Sequence, residues 1–216
     1  MAKHLPIEVG SLVIAKRASG VNAACERGVC YEVYQLGGRP GYGIIFEGGR
    51  YDGFSHEDVT TFLYVTGQHC SAVADYRFTN VIRLKRDFEQ GRFAEAFPLL
   101  KTYTGYRLPG DQGTADQALV TVHQEGQSPR PLDPRFDLRR HSDGLNWGYG
   151  GSGPTQLALA LAADVLGDDE AAQDVHQRLK TRLVAALPKD GWSLGETQLR
   201  LAIADIQQQR GRDRSP

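Results

Sequence analysis

Residues 147–166 read WGYGGSGPTQLALALAADVL, and this stretch decides the fold of the C-terminal half of the chain. Leu and Ala occupy nearly every position from Leu157 to Leu166, which predicts a helix that is buried on all sides. Pro154 suits the first helical position, and Gly167 suits the helix end.

The segments around this helix indicate an α+β domain over residues 101–206, with a few strands and about three helices. Strands are expected at residues 103–107 and 118–123, on either side of a loop rich in Gly and Asp. An amphipathic helix should follow the Leu/Ala helix. A last helix should open with a capping box formed by Ser193 and Glu196.

Residues 1–70 have a different character and predict a small SH3-like β-barrel. Ser55 is a candidate helix N-cap, with Asp58 three residues further on. Short strands with glycine turns, closed by a helical turn, are typical of such barrels. The predicted strands are residues 11–17, 29–36, 42–47 and 51–54.

Two further segments complete the α+β organisation. Residues 71–100 are predicted to form a helical connector, in which Leu84 and Phe88 lie on one apolar face and Gly91 ends the helix. The polar residues 207–216 are expected to form a flexible tail.

The composition is that of an ordinary folded protein, with 40% hydrophobic and 24% charged residues and a net charge of −1. This balance argues against a strongly basic surface for nucleic acid. Cys25, Cys30 and Cys70 are odd in number and lack zinc-like spacing, which favours reduced thiols. No apolar run is long enough for a signal peptide or a bilayer span, so we expect a cytoplasmic protein without membrane contact.

The glycine-rich loop at residues 148–153 satisfies G-x-G-x-x-G and precedes a helix, where backbone N–H groups and the helix dipole favour an anion. A dinucleotide site also requires a strand before the loop and another after the helix. Residues 142–147 are not strand-like, and the next element is a helix, so this assignment is rejected. The absence of a lysine rules out a P-loop, and Pro154 rules out a nucleophile elbow.

Two interpretations of the loop remain. The glycines can let the backbone pack tightly, or the loop can bind a phosphate or carboxylate with help from a nearby basic stretch. That stretch can equally be a solvated face whose arginines pair with Asp133 and Asp137. The candidate ligand-binding residues are Trp147, Tyr149, Gly150, Gly151, Ser152, Arg139, Arg140 and His141. The six histidines are scattered, so no metal site, cofactor or catalytic residue is assigned.

The segment LDPRFDLRRHSDGLNWGYGGSGPTQLALALAADVLGDDEAA, followed by LVAALPKDGWSL, resembles a family of uncharacterised bacterial and phage domains, DUF6166. The resemblance covers residues 103–200, and residues 147–154 are its most specific part. It implies an architecture but no mechanism, and an origin on a phage or other mobile element. The N-terminal segments ERGVCYEVYQLGG and IIFEGGRYDGFSHEDVTTFL look like small SH3-like modules.

The N-terminal half is also rich in aromatic residues that could form a binding groove. SH3-like barrels bind peptides or nucleic acid with such surfaces, although alternate residues of each strand must fill the core. The candidate interaction residues are Tyr31, Tyr34, Tyr42, Tyr51 and Phe54.

These observations favour a non-enzymatic binding or adaptor protein that acts through protein–protein contacts. One alternative is a binder, sensor or enzyme for a phosphorylated small molecule at residues 148–154. Another is a nucleic-acid-binding accessory protein, which the near-neutral charge disfavours. Exposed aromatic or Leu/Ala surface could equally form a dimer interface.

Overall fold

The computed structural model describes residues 6–18, 22–98, 100–109 and 117–213. The chain divides into two compact units, an N-terminal unit over residues 3–98 and a C-terminal unit from residue 99 onwards. Each unit combines an antiparallel sheet with helices, so the predicted α+β class is confirmed.

The N-terminal unit contains a five-stranded antiparallel sheet in the order β4-β3-β2-β1-β5. The elements are β1 Ser11–Ala15, β2 Arg27–Leu36, β3 Arg39–Phe46, β4 Tyr51–Ser55, α1 His56–Phe62 and β5 Leu63–His69. The capping box of α1 is confirmed. Ser55 Oγ accepts the Asp58 N–H at 3.1 Å, and the Asp58 carboxylate accepts the Ser55 N–H at 3.1 Å.

Strand β5 was not predicted, because the apolar residues up to Leu63 were assigned to the helix. Leu63 instead pairs with Ala15 of β1, and the β-prone residues Tyr64 and Val65 continue the ladder. Across the described residues no ladder joins β4 to β5, so the sheet is not a closed barrel. Helix α1 separates these two edge strands, and its Val59 packs into the core beside them.

Both faces of this sheet are covered. One face packs Phe46, Phe54 and Val59 into one core, and the other packs Val29 and Ile45 against helix α2. Helix α2 spans Val81–Glu89, is flanked by the short 3₁₀ turns Phe78–Asn80 and Ala94–Ala96, and ends before Gly91, which has φ 74°. The segment predicted as a connector is thus part of the N-terminal core.

The C-terminal unit is a four-stranded antiparallel sheet packed with three helices, in the strand order β8-β7-β6-β9. Helix α3 is confirmed as buried on all sides, since every residue from Leu157 to Ala163 is at most 3% exposed. The elements are β6 Lys101–Leu108, β7 Gln117–Gln124, β8 Arg130–Pro131, α3 Ser152–Leu166, α4 Asp169–Arg182, β9 Gly191–Gly195 and α5 Glu196–Asp213.

The predicted capping box of the last helix is wrong. Ser193 lies in β9, where the alternating residues Trp192 and Leu194 are buried against the core, and this strand was missed from the sequence. The Gly195 N–H donates to the side chain of Gln198 at 2.9 Å, which caps α5 in place of Ser193.

Helix α5 also continues to Asp213, where a flexible tail was predicted from residue 207; residues 214–216 lie outside the described part of the chain. Gln and Arg are good helix formers, which explains the extension. No helix in the described ranges combines the length and the apolar character that crossing a bilayer requires.

Substitutions on the two faces of helix α2 test whether this helix packs into the N-terminal core. Leu84 is fully buried, whereas Ile82 on the same helix is 86% exposed. We expect Leu84→Ala to lower the free energy of unfolding by about 2–5 kcal/mol. The control Ile82→Ala should change it by less than about 0.5 kcal/mol. Urea unfolding followed by far-UV circular dichroism measures both, and equal effects would contradict this packing.

Candidate functional site

A concave groove of about 490 Å³ opens on the N-terminal sheet. We call it the tyrosine groove, and it is formed by neighbouring residues of β2, β3 and β4. Its lining residues are Tyr31, Glu32, Tyr34, Gly43, Tyr51, Asp52 and Gly53. Three of the aromatic residues singled out in the sequence therefore meet at one site.

A β-bulge and three glycines shape this groove. The pairing of β2 with β3 shifts register between Cys30 and Glu32, so Tyr31 is an extra residue and both Tyr31 and Glu32 line the groove. Glu32 pairs with Gly43, which pairs in turn with Gly53 of β4. The bulge thus lets consecutive residues, which normally face opposite sides of a sheet, share one surface.

The glycines are required because tyrosine rings lie directly on their backbone. A Cβ atom at Gly43 would stand 2.6 Å from the Tyr31 ring, and one at Gly53 would stand 2.6 Å from the Tyr34 hydroxyl oxygen. At Gly41 a Cβ would stand 2.3 Å from the Tyr34 ring. Any larger residue at these positions would displace the rings that line the groove.

The rings of Tyr31, Tyr34 and Tyr51 form an aromatic wall of the groove. The Tyr31 and Tyr51 rings meet edge to face, with centroids 6.5 Å apart and planes at 80°. The Nζ atom of Lys85, from α2, lies 5.6 Å from the Tyr51 ring centroid. This distance lies within the range of a cation–π contact.

Two carboxylates make the groove negative. Glu32 is only 5% exposed, and within the described ranges its carboxylate has no hydrogen bond or ion pair. Asp52 is exposed and accepts the N–H of Gly53 at 2.8 Å. Burial raises the pKa of the Tyr31 and Tyr34 hydroxyls, and the nearby charge of Glu32 raises the pKa of both further.

The two remaining aromatic candidates lie elsewhere. Tyr42 is 6% and Phe54 is 5% exposed, and both pack into the opposite core with Ile44 and Phe46. Sequence reasoning did not single out Glu32, although a lone carboxylate inside the apolar run VCYEVYQL was a usable signal. The glycines of neighbouring strands gave no signal of their own, because register is needed to bring them under the tyrosines.

The glycine-rich loop of the C-terminal unit is shaped by packing. Gly148 has φ 79° and donates its N–H to the Val184 carbonyl at 3.1 Å. A Cβ at Gly151 would stand 2.7 Å from the Tyr149 ring, and one at Gly153 would stand 2.9 Å from the Tyr149 hydroxyl oxygen. Tyr149 therefore folds over its own loop while remaining 45% exposed.

The other loop candidates occupy varied environments. Trp147 is fully buried, and its indole N–H donates to the Pro188 carbonyl at 2.9 Å. Gly150 has open space where a Cβ would project, and Ser152 is exposed at the first residue of α3. Pro154 is the third helical residue and supplies no N–H to an anion.

The basic stretch is largely engaged with the protein itself. Arg140 donates to the Asp143 carboxylate at 2.9 Å and lies over the Phe136 ring at 5.2 Å. Arg139 is exposed. In the described ranges, no hydrogen bond or ion pair joins either arginine to residues 150–152. Nor do three or more His, Cys, Asp or Glu side chains gather there as a metal site.

Gln156 fixes the loop that carries these residues, and sequence reasoning did not identify it. Its side chain is fully buried. Its Oε1 accepts the N–H groups of His141 at 2.7 Å and Ser142 at 3.4 Å. Its Nε2 donates to the carbonyls of Pro134 at 2.6 Å and Arg139 at 3.0 Å. A single amide inside an apolar helix thus holds the loop at residues 134–142.

Replacing Gln156 by Leu keeps a similar volume but leaves these backbone groups without a partner. We expect a loss of at least about 3 kcal/mol in the free energy of unfolding, because each unsatisfied buried group is unfavourable. Gln173→Leu, at an exposed position of α4, is the control and should have little effect. Urea unfolding followed by tryptophan fluorescence reports on this unit, which contains Trp147 and Trp192. Equal stability of the two variants would refute the role of Gln156.

A pair of neighbouring histidines should give this unit a pH-dependent stability. The rings of His141 and His176 lie 5.1 Å apart, and His141 Nε2 is buried without a hydrogen-bond partner. Burial lowers the pKa of both histidines. The mutual proximity of the rings and the charges of Arg139 and Lys180 lower the pKa of His141 further.

Because the folded state disfavours the protonated histidines, stability should be complete above the ordinary histidine pKa of about 6.5 and fall as the pH drops below it. Thermal melts between about pH 7.5 and about pH 5 should show this loss. His141→Gln should reduce the pH dependence, whereas His123→Gln, at an exposed position, should leave it unchanged. A pH profile identical in all three proteins would contradict the burial of the pair.

The C-terminal unit is therefore an α+β domain in which an antiparallel sheet and two helices enclose one apolar helix. Residues 103–205 match the model of the family of unknown function DUF6166. The resemblance seen in the sequence is thus confirmed. No curated protein and no solved structure is a match for the chain.

Proposed function

We propose that this chain is a non-enzymatic binding or adaptor protein that holds a segment of a protein partner in the tyrosine groove. The observation that carries the proposal is that Tyr31, Tyr34 and Tyr51 line one concavity of about 490 Å³. A groove of this size lies in the range of ligand sites, which combine apolar walls with a few polar groups. Tyrosine is also favoured where proteins meet.

We also propose that the N-terminal unit is an SH3-like module. The meander of β1 to β4, the short helix α1 and the return of β5 to pair with β1 support this assignment. Modules of this kind bind peptide segments in grooves lined by aromatic residues.

The charge of the groove supports a protein partner over nucleic acid. Glu32 and Asp52 would repel phosphates, and the net charge of the chain is −1. The alternative site for a phosphorylated molecule, at residues 148–154, has weaker support. The Tyr149 side chain lies where a Cβ atom at Gly151 or Gly153 would project, so packing accounts for both glycines. The origin on a mobile element and the cytoplasmic location stay predictions from the sequence.

Selection from a library of random-sequence peptides tests the proposed function. The full chain should enrich peptides whose binding depends on the groove. Tyr34→Ala removes a partly exposed residue of the groove wall. It should lower the affinity for the selected peptides by at least about tenfold, as truncation of an aromatic anchor does.

Tyr106→Ala is the control, since Tyr106 is a 37% exposed tyrosine in the C-terminal unit. It should bind the selected peptides as the unmodified chain does. Failure to enrich any peptide, or undiminished binding by Tyr34→Ala, would refute the assignment of the groove as the binding site.

A further inference from the structure

We infer that the tyrosine groove receives a positively charged side chain of the partner, best an arginine, which pairs with Glu32 and lies against the tyrosine rings. This inference rests on the proposed function and specifies the chemistry of its ligand. Three features of the described residues support it: a carboxylate without a partner in the described ranges, a wall of aromatic rings, and the complementarity of both to a guanidinium group.

The first feature is Glu32. A carboxylate on a largely buried residue is usually paired or hydrogen-bonded within its own protein. Glu32 is 5% exposed as a residue and lines the groove, and within the described ranges its carboxylate has neither an ion pair nor a hydrogen bond. Its oxygens are not among the buried atoms that lack a hydrogen-bond partner, so they remain accessible from the groove. A cationic ligand would supply the missing partner. The β-bulge that turns Glu32 towards the groove is the kind of local irregularity that re-aims side chains near sites.

The second feature is the aromatic wall. The face of a tyrosine ring is negative and attracts a cation within about 6 Å of its centroid. Lys85 lies 5.6 Å from the Tyr51 centroid, so the chain itself already places a cation near one of these rings. Lys85 forms no ion pair with Glu32 within the described ranges, and the carboxylate is left for a ligand.

The third feature is the complementarity of shape and charge. A planar guanidinium can stack on a tyrosine face while donating two hydrogen bonds to one carboxylate. Asp52, on the neighbouring strand, adds a second negative charge at the exposed side of the groove. A neutral or acidic segment would leave Glu32 unpaired and would gain only the contact with the rings.

The test uses the isotopically labelled full chain and two synthetic probes. One probe is the peptide acetyl-Gly-Arg-Gly-Gly-amide. The other carries citrulline in place of arginine, which keeps the shape and removes the charge. Nuclear magnetic resonance titration should show saturable shifts of the Glu32, Gly43 and Gly53 amides with the arginine probe and none with the citrulline probe.

Two variants distinguish the carboxylate from general charge effects. Glu32→Gln should lower the affinity for the arginine probe by at least about tenfold, because the charge-assisted hydrogen bonds between the carboxylate and the guanidinium are lost. Glu95→Gln makes the same change in net charge at an exposed position of the same unit and should leave the affinity unchanged. The melting temperature of Glu32→Gln should not fall, since the Glu32 carboxylate makes no hydrogen bond or ion pair in the described ranges that the substitution could remove.

The outcomes separate this inference from the proposed function. Equal binding of the citrulline and arginine probes, or a lower melting temperature of Glu32→Gln, would overturn the inference that the groove receives a cationic side chain. If the selected library peptides bind through Tyr34 without Arg or Lys, the proposed function stands and this inference fails. If no library peptide binds in the groove, both fail together.

Discussion

The burial of α3 on every side is the constraint on which the C-terminal unit depends. A helix without a polar face needs a sheet, two further helices and the preceding loop around it, and all of these contribute to one core. Its few polar side chains must then be satisfied internally. Gln156 bonds four backbone groups of the loop, and Asp164 accepts hydrogen bonds from Lys101, Tyr103 and Arg130.

Glycine has a related role in both units, where it allows a tyrosine ring to lie on the backbone. Tyr31 covers Gly43 in the N-terminal sheet, and Tyr149 covers Gly151 in the C-terminal loop. The result differs because of what surrounds each ring. In the sheet the ring borders an open groove that also contains the Glu32 carboxylate, whereas in the loop the ring closes over its own turn. A glycine-rich motif can therefore be explained by packing alone.

Much of the fold could be predicted from local patterns. The capping box at Ser55, the burial of α3 and most strands of the N-terminal sheet follow from residue type and spacing. The errors have a common cause. Strands β5 and β9 are short, and each is stabilised by pairing with a strand distant in sequence, which local propensity does not encode.

The sequence alone determined the α+β class, the all-round burial of α3 and the resemblance of residues 103–205 to DUF6166, since these depend on the pattern of contiguous residues. It also identified Tyr31, Tyr34 and Tyr51 as candidates for a surface. Only the tertiary structure separated them from Tyr42 and Phe54 and placed Glu32 among them. The physical reason is register: a bulge and the pairing of three strands decide which side chains share a face, and both arise from contacts between separate segments.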